Sequence, residues 1–156
     1  MGLATDIINE AVDDSVKLAA LLRRLLVIGD NLDNDRLKEW VLRELNGYAA
    51  IDQLPPYRIM EITAKGQFFS FAGQMNDHPI PSAILKKEHR WWAETAYLLS
   101  SIASFEALAA DDSPSGRVII DWPANMTAYY SNKFGGDWKL KRAWQETYQR
   151  HSWNAR

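Results

Sequence analysis

Two adjacent prolines, Pro55 and Pro56, interrupt the helical period that the first part of this chain keeps. Each proline ring fixes φ, removes a backbone donor and disfavours the α conformation in the residue before it. The run Leu54-Pro55-Pro56-Tyr57-Arg58 therefore reads as an extended stretch that no helix crosses. Helices are expected before it and strands directly after it.

Residues 6–29 read as one helix, with Ile8, Ala11, Val12, Ser15, Leu18, Ala19, Leu22, Leu25 and Leu26 on one face at spacings of three and four. Asp6, Glu10, Asp13 and Asp14 come early and Arg23 and Arg24 late, an order that complements the helix dipole. Gly29-Asp30-Asn31 reads as the stop. A second helix is expected over 34–46, capped by Asp33 or Asn34 and ended by Asn46-Gly47. The short connection implies an antiparallel helical hairpin. The second stripe is Leu37, Trp40, Val41, Leu45 and Tyr48, and Trp40 is expected to bury its ring against Leu22 and Leu25. Glu44 lies beside that stripe and needs a partner if half-buried, with Arg23 or Arg58 as candidates.

Beyond the prolines, 59–63 and 68–72 read as a β-hairpin turning at Lys65-Gly66, followed by a loop from Gly73 to Asp77. Ser82 begins a long third helix that keeps helical spacing through Ile84, Trp91, Trp92, Leu98, Ile102 and Phe105. A loop at Asp111–Gly116, a short buried strand at Val118-Ile119-Ile120 and a helix over 124–132 complete the pattern. The fold class is α+β: an N-terminal helical hairpin, a small β-hairpin or sheet, and the long third helix. Residues 1–135 read as one domain. Residues 136–156 read as a basic-aromatic extension without a clean apolar stripe.

Composition excludes several function classes. The chain has 156 residues, a net charge of -2 and no cysteine. Disulfides, thiolate metal sites and cysteine nucleophiles are therefore ruled out. No global field draws in nucleic acid or acidic membrane. The near-apolar run Leu18–Leu22 is far too short to span a bilayer, and the start lacks the basic segment of a secretory signal. The expected setting is the cytoplasm, without membrane attachment.

Motif-level chemistry is absent. His78, His89 and His151 show no metal-ligand spacing, and no metal or cofactor is expected. There is no phosphate loop, and no serine stands in a nucleophile elbow. The seven tryptophans are the unusual feature. They suit core and subunit-contact packing, or a stacking surface. In the C-terminal segment Lys139, Arg142 and Trp144 interleave cations with an aromatic ring, a pattern that can grip phosphates while stacking on bases. The alternative is a solvated segment with snorkelling cations.

The runs Leu21-Leu22-Arg23-Arg24-Leu25-Leu26, Leu37-Lys38-Glu39-Trp40-Val41, Glu44-Leu45-Asn46-Gly47-Tyr48 and Leu54-Pro55-Pro56-Tyr57-Arg58 together resemble the AbiTii-type domain of bacterial abortive-infection proteins. Pro79-Ile80-Pro81 and the later Val118-Ile119-Ile120-Asp121-Trp122-Pro123 fit the same pattern, so that the likeness covers roughly residues 5–135. The resemblance implies a role in antiphage defence, with no catalytic mechanism to carry over to named residues. Similar domains often precede a separate effector region. Here the chain ends after Gln145–Arg156 without the further helix such proteins tend to have, and reads as a short member or a fragment.

The resulting expectation is a non-enzymatic sensing or protein-interaction module of a defence system. Its alternatives are a nuclease or nucleotide-acting toxin with a spatially assembled site, or nucleic-acid binding through the C-terminal segment. Candidate binding residues are Glu44, Arg58, Trp91, Trp92, Lys139, Arg142 and Trp144. Trp91 and Trp92 diverge by about 100° if helical, so one of them should face a partner. The expected partners are a second copy of the chain or a companion defence protein. A phage component is a further candidate, and nucleic acid a weaker one.

Overall fold

The computed structural model describes residues 2–110 and 117–148. In chain order the helices are α1 (Leu3–Ala11), α2 (Leu18–Asn31), α3 (Asp35–Asn46), α4 (Trp91–Glu94), α5 (Ile102–Ala110) and α6 (Ala124–Tyr130). The strands are β1 (Ile59–Glu61), β2 (Thr63–Ser70), β3 (Gly73–Pro79), β4 (Thr95–Tyr97), β5 (Arg117–Asp121) and β6 (Lys139–Tyr148). The class is α+β, as expected. The described residues form two compact units, one of helices over 2–55 and 98–110, the other of sheet and short helices over 56–97 and 117–148. The loop expected at Asp111–Gly116, and Arg150, His151, Trp153 and Arg156, lie outside the described residues.

In the helical unit the expected single helix over 6–29 is two helices. Asp13 breaks it. Its Oδ1 accepts from Ser15 N–H at 2.9 Å and from Ser15 Oγ at 2.6 Å, and its carbonyl accepts from Val16 N–H at 3.0 Å. Short polar side chains compete with helical bonding in this way. The Ser15 hydroxyl and then its N–H hold the Asp13 carboxyl below the usual range. The break resets the inward face: Ile8 and Val12, expected in the stripe, are 67% and 83% exposed, whereas Ile7, Leu21 and Leu22 are buried.

Lys17 gives α2 no side-chain cap. Glu106 of α5 supplies one from 88 residues beyond Leu18, its Oε1 accepting from Leu18 N–H and, at 3.4 Å, from Ala19 N–H. A carboxylate there satisfies orphan donors and complements the dipole. Gly29, expected as the stop, is a buried helical residue. A Cβ on it would lie 3.0 Å from Lys38 Cγ, so glycine here serves the close approach of α3. The turn comes at Asp33, with φ 49°. Asn34 then caps α3 as expected, its side chain accepting from Leu37 N–H at 3.1 Å.

Val41, Glu44 and Tyr48 point inward from α3 and the residues after it. Trp40, expected in the core, is 38% exposed. It sits one position, or about 100°, from Val41 around the helix, and the Val41–Glu44 line takes the core. Gly47 ends α3 as expected, with φ 88°. A Cβ there would meet Leu99 O at 2.7 Å, because the chain at 98–101 runs against it and Leu99 O accepts from Tyr48 N–H at 2.8 Å.

The sheet unit holds a four-stranded antiparallel sheet in the order β3-β2-β6-β5 and a separate β1-β4 pair. The hairpin is not the expected one. Lys65 and Gly66 lie inside β2, the supposed loop Gly73–Asp77 is β3, and the turn is at Phe71-Ala72. Gly66 is required for space: a Cβ would stand 2.8 Å from both Leu140 Cδ1 and Phe68 Cε2.

The long third helix is likewise absent. Residues 82–105 form 3-10 turns at Ser82–Ile84 and Lys87–His89, then α4, β4 and the start of α5. β4 leaves the helix to pair with β1, Ile59 opposite Tyr97. The buried Gln145 side chain donates Nε2–H to Trp92 O at 3.2 Å and to Thr95 O at 2.7 Å. Those carbonyls would otherwise accept within a continuing helix.

Past Gly135, the segment read as an extension enters the sheet, where β6 runs between β2 and β5. Ala143, Trp144, Gln145 and Glu146 are consecutively buried, so this strand is covered on both faces and shows no alternation. The short strand expected at Val118–Ile120 is an edge strand, with Ile119 45% exposed. The core beneath the sheet gathers Phe68, Ile80, Trp122, Tyr130 and Leu140. No helix among the described residues is long and apolar enough to cross a membrane.

Candidate functional site

The sheet unit brings cations and aromatic rings together at α6. Met126 and Tyr130, four apart, turn into the core, and Tyr130 is only 1% exposed. Its hydroxyl accepts from Lys86 N–H at 3.0 Å and lies 2.8 Å from His89 Nδ1. One buried phenol thus fixes the segment 86–89 against α6. The end of α6 is tied as firmly to β6: Leu140 N–H donates to Ser131 O at 2.9 Å, and Ser131 Oγ donates to Leu140 O at 3.1 Å.

Tyr129, next to Tyr130, faces the other way and is 39% exposed. Lys133 Nζ stands 3.6 Å from the centre of its ring and Lys86 Nζ 4.8 Å. Lys133 first and then Lys86 hold the Tyr129 phenol below its ordinary range. In turn Tyr129, with a smaller contribution from Glu88, raises Lys86. The result is an exposed phenol between two ammonium groups, with a T-shaped His89 ring 6.2 Å away. None of Lys86, His89, Tyr129, Tyr130 and Lys133 stands out as a site residue in the sequence, because they come from two segments forty residues apart. The Tyr129–Lys133 spacing of four was the one local signal.

Glu44 of the helical unit and Arg58 of the sheet unit are both buried, each 4% exposed. Within its own unit Glu44 accepts from Tyr48 Oη at 2.6 Å, a partner the sequence reading did not name. Trp91 and Trp92 do come together. Their rings stack at 4.2 Å instead of diverging, since the chain turns from 3-10 to a single α turn there. Tyr97 lies 5.3 Å from Trp91, and Trp92 packs toward Trp122 at 6.4 Å.

The C-terminal trio behaves unlike a stacking groove. Trp144 is 6% exposed, which leaves no face for a base. Its Nε1–H points to Glu146, whose carboxylate also pairs with Lys65 at 2.9 Å. Arg142 is held in a two-pronged pair with Asp121 at 2.8 and 3.1 Å. Lys139 borders an apolar hollow of about 200 Å³ with Phe69, Phe71 and Asp137. In the helical unit a shallow cleft of about 230 Å³ is lined by Trp40, Arg36, Arg43 and Tyr48. Among the described residues no group of three His, Asp or Glu side chains is placed to hold a metal ion.

The architecture is thus that of a mixed α+β protein whose surface carries a cation–aromatic cluster at Tyr129. The AbiTii family model matches residues 2–150, nearly the whole sequence, and the chain belongs to that family. The family's name denotes abortive infection, a form of antiphage defence. No curated protein and no solved structure matches the chain.

Proposed function

We propose that this protein is a protein-interaction module of an abortive-infection system, working by binding rather than by a chemical step of its own. The observation that carries the reading is the Trp91–Trp92 stack. Two indole rings 4.2 Å apart, extended by Tyr97 and backed by Trp122, form a rigid and partly exposed aromatic ledge. Rigid tryptophans lose little entropy on binding and dominate many interfaces. The proposed partner is a second copy of the chain, with a companion defence protein as the alternative.

Sedimentation of the wild type against Trp91→Ala, together with phage challenge of cells expressing each, tests both halves. The expected result is a wild-type oligomer, a dissociated variant and weakened protection. A wild type that stays monomeric at high micromolar concentration ends the self-association reading. Protection unchanged by Trp91→Ala ends the role of this ledge.

A further inference from the structure

We propose that Lys86, Tyr129 and Lys133 form a binding site for a phosphate monoester. The proposal stands on the sheet unit alone and does not depend on the Trp91–Trp92 ledge.

Two ammonium groups from separate segments are held over one ring, at 3.6 and 4.8 Å from its centre. Like charges repel, and some cations on this protein are matched by carboxylates: Arg24 with Glu10, Lys38 with Asp35, Arg43 with Glu39, Arg142 with Asp121. Lys86 and Lys133 have no such ion pair among the described residues. The electron-rich face of Tyr129 offsets part of the repulsion. Glu88 adds to the field at Lys86. The rest of the charge is left for a ligand.

The framework is rigid on both sides. Tyr130 Oη anchors the backbone of Lys86, and the Ser131–Leu140 bonds anchor the segment leading to Lys133. Lys133 N–H is itself bonded to Tyr130 O at 3.0 Å. Both ammonium groups thus stand beside one partly exposed phenol, whose hydroxyl can donate as well. A phosphate monoester brings close to two negative charges and three strong acceptor oxygens at neutral pH. That matches two ammoniums and a phenol. A phosphodiester strand brings one charge per phosphate and needs cations spread along a track.

The test is calorimetric titration of the full chain with inorganic phosphate, with adenosine monophosphate and with a single-stranded oligonucleotide lacking terminal phosphates. Inorganic phosphate and the monophosphate are expected to bind, and the oligonucleotide not. The Lys86→Gln/Lys133→Gln variant should lose about tenfold or more in affinity. Lys38→Gln, on the helical unit, should lose nothing. A second readout follows the ultraviolet signature of phenolate. Tyr129 should ionise below the ordinary tyrosine range, and that early ionisation should vanish in Tyr129→Phe. Bound phosphate should push it upward, because the anion disfavours a neighbouring phenolate. Absence of any heat with both inorganic phosphate and the monophosphate, or affinity unchanged in the double variant, would overturn the proposal. So would preferential binding of the oligonucleotide through the same lysines, which would make the site a phosphodiester contact.

Discussion

In the helical unit the ends of elements are closed by groups remote in sequence. Glu106 caps α2, Leu99 O takes the N–H that follows α3, and Gly47 must be glycine because that backbone passes beside it. In the sheet unit the decisive contacts are interior ones. Phe68, 1% exposed, is flanked by Phe134 at 4.8 Å and by the space that Gly66 vacates, and β6 closes the ladder between β2 and β5. The difference follows from the elements. A helix satisfies its own middle and leaves orphan groups at its ends. A strand satisfies nothing by itself, so its neighbours and its packed face decide everything.

The largest expected effect breaks the sheet unit at its centre. Phe68→Ala should cost about 3–5 kcal/mol, the usual range for emptying a large core site. Phe71, three residues on at the turn, is fully exposed, and Phe71→Ala should stay within about 0.5 kcal/mol. Denaturant melts followed by tryptophan fluorescence report on this unit, because among the described tryptophans all but Trp40 belong to it. Equal losses for the two variants would dissolve the contrast between interior and turn.

The helical unit should fail at its ends, by less. Gly47→Ala forces a Cβ to within 2.7 Å of Leu99 O at a φ of 88°. The expected cost is about 1–3 kcal/mol, typical of a strained backbone position. Helical circular dichroism during thermal melting is the measurement. A variant as stable as the wild type would mean that the 98–101 segment moves away easily.

The smallest effect sharpens the comparison most. Glu106→Ala removes a cap supplied through space and should cost about 1 kcal/mol. Glu106→Gln keeps an acceptor and should recover part of that loss. Hydrogen exchange at Leu18 and Ala19 should quicken in the alanine variant. Unaltered exchange there would show that solvent satisfies the first donors of α2 well enough alone.

Much of the helical unit was legible. The Asn34 cap and the Gly47 stop are local matters, decided within one turn of chain, whereas Trp40, expected in the core, proved 38% exposed. The error there, one helix instead of α1 and α2, came from reading Asp13 as a charge rather than as a turn-maker. The sheet unit was legible only in part. The strand at Val118–Ile120 is legible from its β-branched residues. Gly66, expected in a turn, lies inside β2, because its reason is the side chains of Phe68 and Leu140 and not its own φ.

The candidate site follows the same division. Local order determined the α+β class, the proline break and the family, because capping residues, prolines and the Trp40–Arg58 pattern act over a few positions. Tertiary structure alone decided that β6 threads the sheet, that residues 95–97 leave the helix for β1, and that Lys86 meets Tyr129. Each depends on which strands share a ladder and what a buried phenol can reach, and such contacts join residues whose separation along the chain leaves no periodic trace.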